Sequence, residues 1–182
     1  MFILSDSPPE KDVQWSEQGM IASYKFIQKF WDLHQKIKLV AKQEIVPNQA
    51  NEAKNAVNLF VNQIINKMNL SLNKFSYNVI IASLHEIYSF FSKVNNSDDL
   101  IENYIKILKV MIPIVPHLAY ECLHDFNQSK NLSWPNIDNK YLNSDKKVIV
   151  VQINGKKRGI VEILKDIDAV SYTHLTLPTT PY

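Results

Sequence analysis

From about residue 16 to residue 126, apolar side chains return every third or fourth position, a period that predicts helices and rules out a sheet as the main body of the chain. The first helical stretch carries two neighbouring stripes. One holds Met20, Tyr24, Ile27 and Trp31, the other Phe26, Phe30, Leu33, Ile37 and Val40, which predicts a helix buried over a broad face. Ser16 is a weak amino-terminal cap, Pro47 ends or interrupts the stretch, and Asn48 is placed to cap the next helix. That second helix, over about 49–68, spaces Ala53, Val57, Phe60, Ile64 and Met68 along one side. A third, over about 74–94, aligns Tyr77, Ile81, Leu84, Tyr88 and Phe91 until the Asn95-Asn96-Ser97 cluster breaks it. Asp98 and Asp99 favour a new start by complementing the amino-end dipole. Ile101, Ile105, Leu108 and Ile112 mark the fourth helix, which Pro113 and Pro116 kink or split. Four to five helices on short connections predict a mainly α chain whose body, over 16–135, is a helical bundle.

The ends follow other rules. Pro8-Pro9 does not fit inside a helix and restricts the residue before it, so 1–15 reads as an extended or irregular strap. After Trp134-Pro135 the period shortens to that of strands: Val148 to Ile153, then Asn154-Gly155, then Lys156 to Ile163. Asn-Gly between two β-rich runs predicts a hairpin, because the tight turn needs positive φ at both central residues. Val170 to Tyr182 abruptly loses acids and lysines, turns rich in Thr, Pro and Leu, and resembles translated adapter sequence. Residues 170–182 therefore read as a non-native tail.

A length of 182 residues suits one ordinary domain with a small appendage. With 46% apolar and 21% charged residues the chain is neither a disordered tail nor a membrane protein. No apolar run approaches the roughly 18 residues that span a bilayer, and Met1 to Pro9 lacks the order of a signal peptide, so the cytoplasm is the expected location. The lone Cys122 excludes an internal disulfide or a cysteine-based zinc site and reads as a small buried apolar residue. Three glycines, Gly19, Gly155 and Gly159, build neither a P-loop nor a dinucleotide fingerprint. No serine lies in a Gly-x-Ser-x-Gly elbow. His117 and His124 lie two helical turns apart, about 10 Å by helix rise, too far to share a metal. The remaining histidines read as packing, capping or surface residues. No catalytic, cofactor or metal residue is therefore assigned, and the chain reads as a binding module. A net charge of +2 is too small to argue for nucleic acid by itself, and the abundance of lysine and asparagine reads as compositional bias.

Four blocks, in order, carry a resemblance. Phe2-Ile3-Leu4-Ser5-Asp6-Ser7-Pro8-Pro9-Glu10, with Trp15, Ser16 and Gly19, is similar to the strap by which leucyl-tRNA synthetases of bacterial type leave their catalytic domain. Lys25-Phe26-Ile27 to Trp31 resembles that family's first bundle helix, where Arg-Phe-Leu is usual. Pro113 to Glu121, Pro-Ile-Val-Pro-His-Leu-Ala-Tyr-Glu, resembles its Pro-x-x-Pro-His-x-x-Glu-Glu, followed by Ser133-Trp134-Pro135. Tyr120 replaces the first glutamate, and Leu123 stands where tryptophan is common. Val151-Gln152-Ile153-Asn154-Gly155-Lys156-Lys157-Arg158 is similar to the Val-Gln-Val-Asn-Gly-Lys-x-Arg that opens the family's small α+β C-terminal domain. The synthetases for isoleucine, valine and methionine share the bundle but are not associated with this strap and hairpin.

The resemblance implies a C-terminal fragment of an enzyme that attaches leucine to tRNA(Leu) with ATP, the catalytic and editing domains lying elsewhere. It divides the chain into the strap 1–15, a tRNA-binding bundle of the anticodon-binding type over 16–135, the truncated start of the C-terminal domain over 145–169, and the tail. Expected partners are tRNA(Leu) and the missing catalytic domain, with neither DNA nor a membrane; ATP belongs to the parent enzyme alone. Lys156, Lys157 and Arg158 follow a tight turn from which side chains reach phosphates, positioning RNA without reading sequence. Lys36, Lys38 and Lys42 form a second basic strip. For both groups the plain alternative is a solvated charged surface. Trp15, Trp31 and Trp134, helical or next to proline, are assigned to core packing rather than base stacking. A self-standing helical RNA-binding or scaffold protein without ligase activity shares every one of these motifs.

Overall fold

The computed structural model of the chain describes residues 1–41, 50–94, 99–142, 146–153 and 156–164, and these fall in two compact units, Met1–Tyr141 and Leu142–Tyr182. The first unit is helical: α1 Phe2–Asp6, α2 Glu17–Val40, α3 Ala50–Asn73, α4 Tyr77–Phe91, α5 Leu100–Met111 and α6 Pro116–Asp125, then a 3-10 turn at Asn139–Tyr141. Among the described residues no helix is long and apolar enough to cross a membrane.

Local chemistry sets the helix ends. Ser16 caps α2, its hydroxyl accepting from the Gly19 amide at 3.2 Å. Pro116 occupies the first turn of α6, where a missing N–H costs nothing. Both α3 and α6 close through a left-handed residue, Phe75 at φ 53° and Asn127 at φ 57°. In each case the amide beyond it reaches back five residues, Ser76 to the Ser71 carbonyl at 2.8 Å and Gln128 to that of Leu123 at 2.9 Å. Asn48, Pro47, Asp98 and the Asn95-Asn96-Ser97 cluster lie outside the described residues.

The core gathers where α3 meets α4 and α5, with α2 and α6 closing the far side. Phe30 and Tyr104 stack at its centre and Phe91 meets Tyr104 edge-on, each fully buried. Burying one such ring stabilises the fold by about 2–3 kcal/mol relative to leaving it in water. The α2 stripe Phe26, Phe30, Leu33 and Ile37 is buried as expected. Its neighbour is not: Met20 and Tyr24 are exposed, and Ile27 and Trp31 are only half-buried. On α5 the buried face is Leu100, Tyr104, Ile107, Leu108 and Met111, rotated one position from the predicted Ile101, Ile105, Leu108 and Ile112. Glu102, Lys106 and Lys109 gather on one side of that helix and its apolar arc is broad, so the stripe drawn from spacing runs along the edge of the arc instead of opposite the charges.

The strap is not wholly extended. Phe2–Asp6 forms a turn of helix that packs on α4 and α2, and the Phe2 ring lies so close to Gly19 that a Cβ there would sit 2.5 Å from it. The asparagines are more than compositional bias. Asn103 donates to the Asn58 side-chain oxygen at 2.8 Å and Asn58 to Asp99 at 3.0 Å, joining α3 to α5. Asn62 accepts from the Asp138 amide and Asn69 from the Trp134 indole, stitching the segment after α6 to α3.

In the second unit, β1 Lys146–Ile153 pairs antiparallel with β2 Lys156–Leu164 as a two-stranded hairpin. Ile153 faces Lys156, the register that a two-residue connection requires, although Asn154 and Gly155 themselves lie outside the described residues. The tail 170–182 is likewise outside them.

Candidate nucleic-acid interface

The hairpin carries the first predicted basic group. Its register slips between Val151, which faces Gly159, and Gln152, which faces Lys157, leaving Arg158 as an extra, unpaired residue on β2. A bulge of this kind bends the strand and re-aims a side chain. Arg158 is exposed there, a guanidinium with five donors in a fork that suits phosphate oxygens. Lys156 and Lys157 open the same strand.

The second group is not one strip. Lys36 is exposed, whereas Lys38, two residues on and therefore on nearly the opposite side of α2, pairs with Asp125 at 2.7 Å. Lys42 lies outside the described residues. The carboxylate that holds Lys38 also accepts from the fully buried His34, Nε2 to Oδ2 at 3.1 Å. An ionised carboxylate only accepts, so Nε2 carries the proton and Nδ1 of the neutral ring accepts from the Tyr104 hydroxyl at 3.3 Å. Burial holds the His34 pKa below 6.5 against the opposing pull of Asp125, so the ring is neutral at physiological pH. The Asp125 carboxyl is held below 3.8, chiefly by Lys38 and then by His34. This chain of contacts ties α2, α5 and α6 together and commits Lys38 to structure. The thiol of Cys122, against Tyr104, is pushed up to about 12, first by burial, and so is inert as a nucleophile at neutral pH.

Tryptophan placement differs from the sequence expectation. Trp15 is 71% and Trp134 41% exposed, so neither is a core residue, whereas Trp31 is half-buried, packs against the core beside His34 and edges a groove. That groove, about 760 Å³, runs between α2 and the start of α6 and is lined on its apolar side by Met1, Ile27, Trp31, Ile114, Val115 and Leu118. It continues the exposed stripe of Met20 and Tyr24, the latter 63% exposed. Isolated exposed apolar residues are ordinary on proteins, but a stripe that runs into a groove of this size is a candidate contact surface.

The sequence profile of the family described as the anticodon-binding domain of tRNA ligase matches residues 55–173. This chain belongs to that family. Within it the similarity runs to leucine enzymes: the leucine–tRNA ligase of Fusobacterium nucleatum is 33% identical over a match covering 98% of this chain, and that of Bartonella quintana 34% over 89%. These matches cover 23% and 20% of the two relatives, so the chain spans about a fifth of their length. A LeuRS from Agrobacterium radiobacter K84, in the crystal structure of its ternary complex with tRNA and LeuAMS, shares the fold at a TM-score of 0.68 and 20% identity, over 97% of this chain and 24% of its own.

Proposed function

We propose that this chain is the tRNA-gripping part of a leucine–tRNA ligase acting in the cytoplasm, and that it takes no part in the chemical step. What carries the reading is the family match over most of the bundle and hairpin, together with the similarity to leucine–tRNA ligases along nearly the whole chain. In it, the parent enzyme joins leucine to tRNA(Leu) with ATP in a catalytic domain elsewhere in the polypeptide. Lys156, Lys157 and Arg158 on the hairpin and Lys36 on α2 contact phosphates, which fixes the position of the RNA without reading its bases. Lys38 supports the bundle through Asp125 instead. The apolar stripe and groove receive the rest of the ligase, and they weigh against a self-standing module, which would leave Tyr24 and Trp31 without a cover.

A salt titration of the chain against tRNA(Leu) and a non-leucine tRNA tests the RNA reading. Binding that weakens steeply with salt and favours tRNA(Leu) is the expected result. Equal, salt-insensitive binding of both would remove the RNA role.

A further inference from the structure

We propose that the notch between α2 and the carboxyl end of α4 is a seat for a phosphate of the RNA backbone, formed by Lys29 and Lys36 with Tyr88 and flanked by Lys25. The proposal rests on the tRNA-binding reading and adds a site to it.

Helix geometry supplies the first observation. At about 100° per residue, positions 25, 29 and 36 fall within an arc of about 40°, so α2 displays three lysines in a single row some 16 Å long. This row replaces the strip of Lys36, Lys38 and Lys42 read from sequence. All three lysines are exposed, and none has a carboxylate within ion-pair distance among the described residues. Other lysines of the bundle are committed: Lys38 to Asp125, Lys54 to Asp99, Lys67 to Glu86 and Lys106 to Glu102.

The second observation is the cavity. Lys29 and Lys36 line a notch of about 130 Å³ with Asp32, Leu33, Tyr88 and Ser92. This is room for a small group such as a phosphate, well below the roughly 300–1,000 Å³ of pockets that take a drug-sized ligand. Ser92 spends its proton on the Ser89 carbonyl at 3.0 Å, which leaves the half-buried Tyr88 as the hydroxyl donor. Two features oppose an anion: Asp32, and the carbonyl end of α4. Lys25, one helical turn before Lys29, and Lys93, next to Ser92 in sequence, are exposed and bring further positive charge to the two helices that form the notch.

The test uses the whole chain with tRNA(Leu) as probe, comparing wild type with Lys29→Gln/Lys36→Gln and with a control, Lys74→Gln/Lys130→Gln, that removes two exposed lysines elsewhere. The notch variant is expected to flatten the slope of log affinity against log salt by about 0.7–0.9, the loss of one phosphate contact, and equally for a non-leucine tRNA, since a phosphate contact reads no sequence. The control is expected to leave the slope unchanged. Tyr88→Phe, which removes only the hydroxyl, is expected to weaken binding a few-fold with the slope intact. Amine acetylation adds a geometric readout: bound tRNA should protect Lys25, Lys29 and Lys36 and leave Lys74 reactive. A notch variant with the wild-type slope, or Lys29 and Lys36 as reactive with tRNA as without, overturns the site while the RNA reading stands. A wild-type chain that does not bind tRNA at all overturns both.

Discussion

Removing the Asp125 carboxylate isolates what the buried polar chain contributes. In Asp125→Ala, the Nε2–H of His34, in a ring with no solvent exposure, loses its acceptor, which costs about 1–3 kcal/mol. The partly exposed pair with Lys38 disappears as well, for about 1 kcal/mol at most. A total near 2–3 kcal/mol is a large share of the 5–15 kcal/mol typical of a domain. At roughly 2–4 °C per kcal/mol for a unit of this size, Tm should fall by about 5–10 °C. Asp125→Asn is the discriminating variant. Its amide oxygen still accepts from His34 and only the ion pair is lost, so the fall should be no more than about 4 °C. Thermal melts by circular dichroism at pH 7.5 read both. If the asparagine variant melts as low as the alanine one, the loss comes from charge at the surface, and the assignment of Asp125 as acceptor for a buried donor is wrong.

Further predictions concern pH and the helix ends. The His34 pKa is lower folded than its unfolded value of about 6.5, so the unfolded chain binds the extra proton. The stability of the bundle should therefore be full above about pH 6.5 and decline as pH falls through the folded value, with a second decline below about 3.8 as Asp125 and Asp99 protonate. A melting temperature that rises between pH 6.5 and 5.5 would contradict it. Phe75→Gly, at φ 53° on an exposed helix end, should raise stability by about 0.5–1 kcal/mol because glycine takes the left-handed conformation without the Cβ penalty; a lowered Tm would show that the ring contributes more than the backbone strain removes. Gly19→Ala should push the Phe2 ring off α2 and leave residues 1–15 open to limited proteolysis, with little change in the melting of the bundle, and a strap as protected as in wild type would contradict the docking of α1.

Much of the fold was legible because long helices repeat a simple rule. The Ser16 cap, the α2 stripe from Phe26 to Ile37, the division of the fourth helix at Pro113 to Pro116 and the hairpin register all follow from spacing and turn chemistry. The inner face of α5 was not placed by apolar spacing alone, although Glu102, Lys106 and Lys109 share one side of the helix and the buried face lies opposite them. Nor was α1, because Pro8-Pro9 constrains only what adjoins it and leaves Phe2–Asp6 free to coil. On the hairpin, the Asn-Gly signal placed Arg158 just after the turn, but the bulge that leaves it unpaired depends on how two strands register, which one strand does not reveal. Lys38 looked like its neighbour Lys36 until the fold brought up Asp125, 91 residues along from His34. Asn58 and Asn103, 45 residues apart, hid among many asparagines for the same reason.

The central claim, that this chain is one part of a longer leucine–tRNA ligase, is tested most directly by sequencing the gene across its 5′ side. The account predicts an open frame continuing upstream through a lysine-rich signature loop into a nucleotide-binding domain. An in-frame stop followed by a ribosome-binding site immediately before the codon for Met1 would contradict it and make the bundle a protein in its own right.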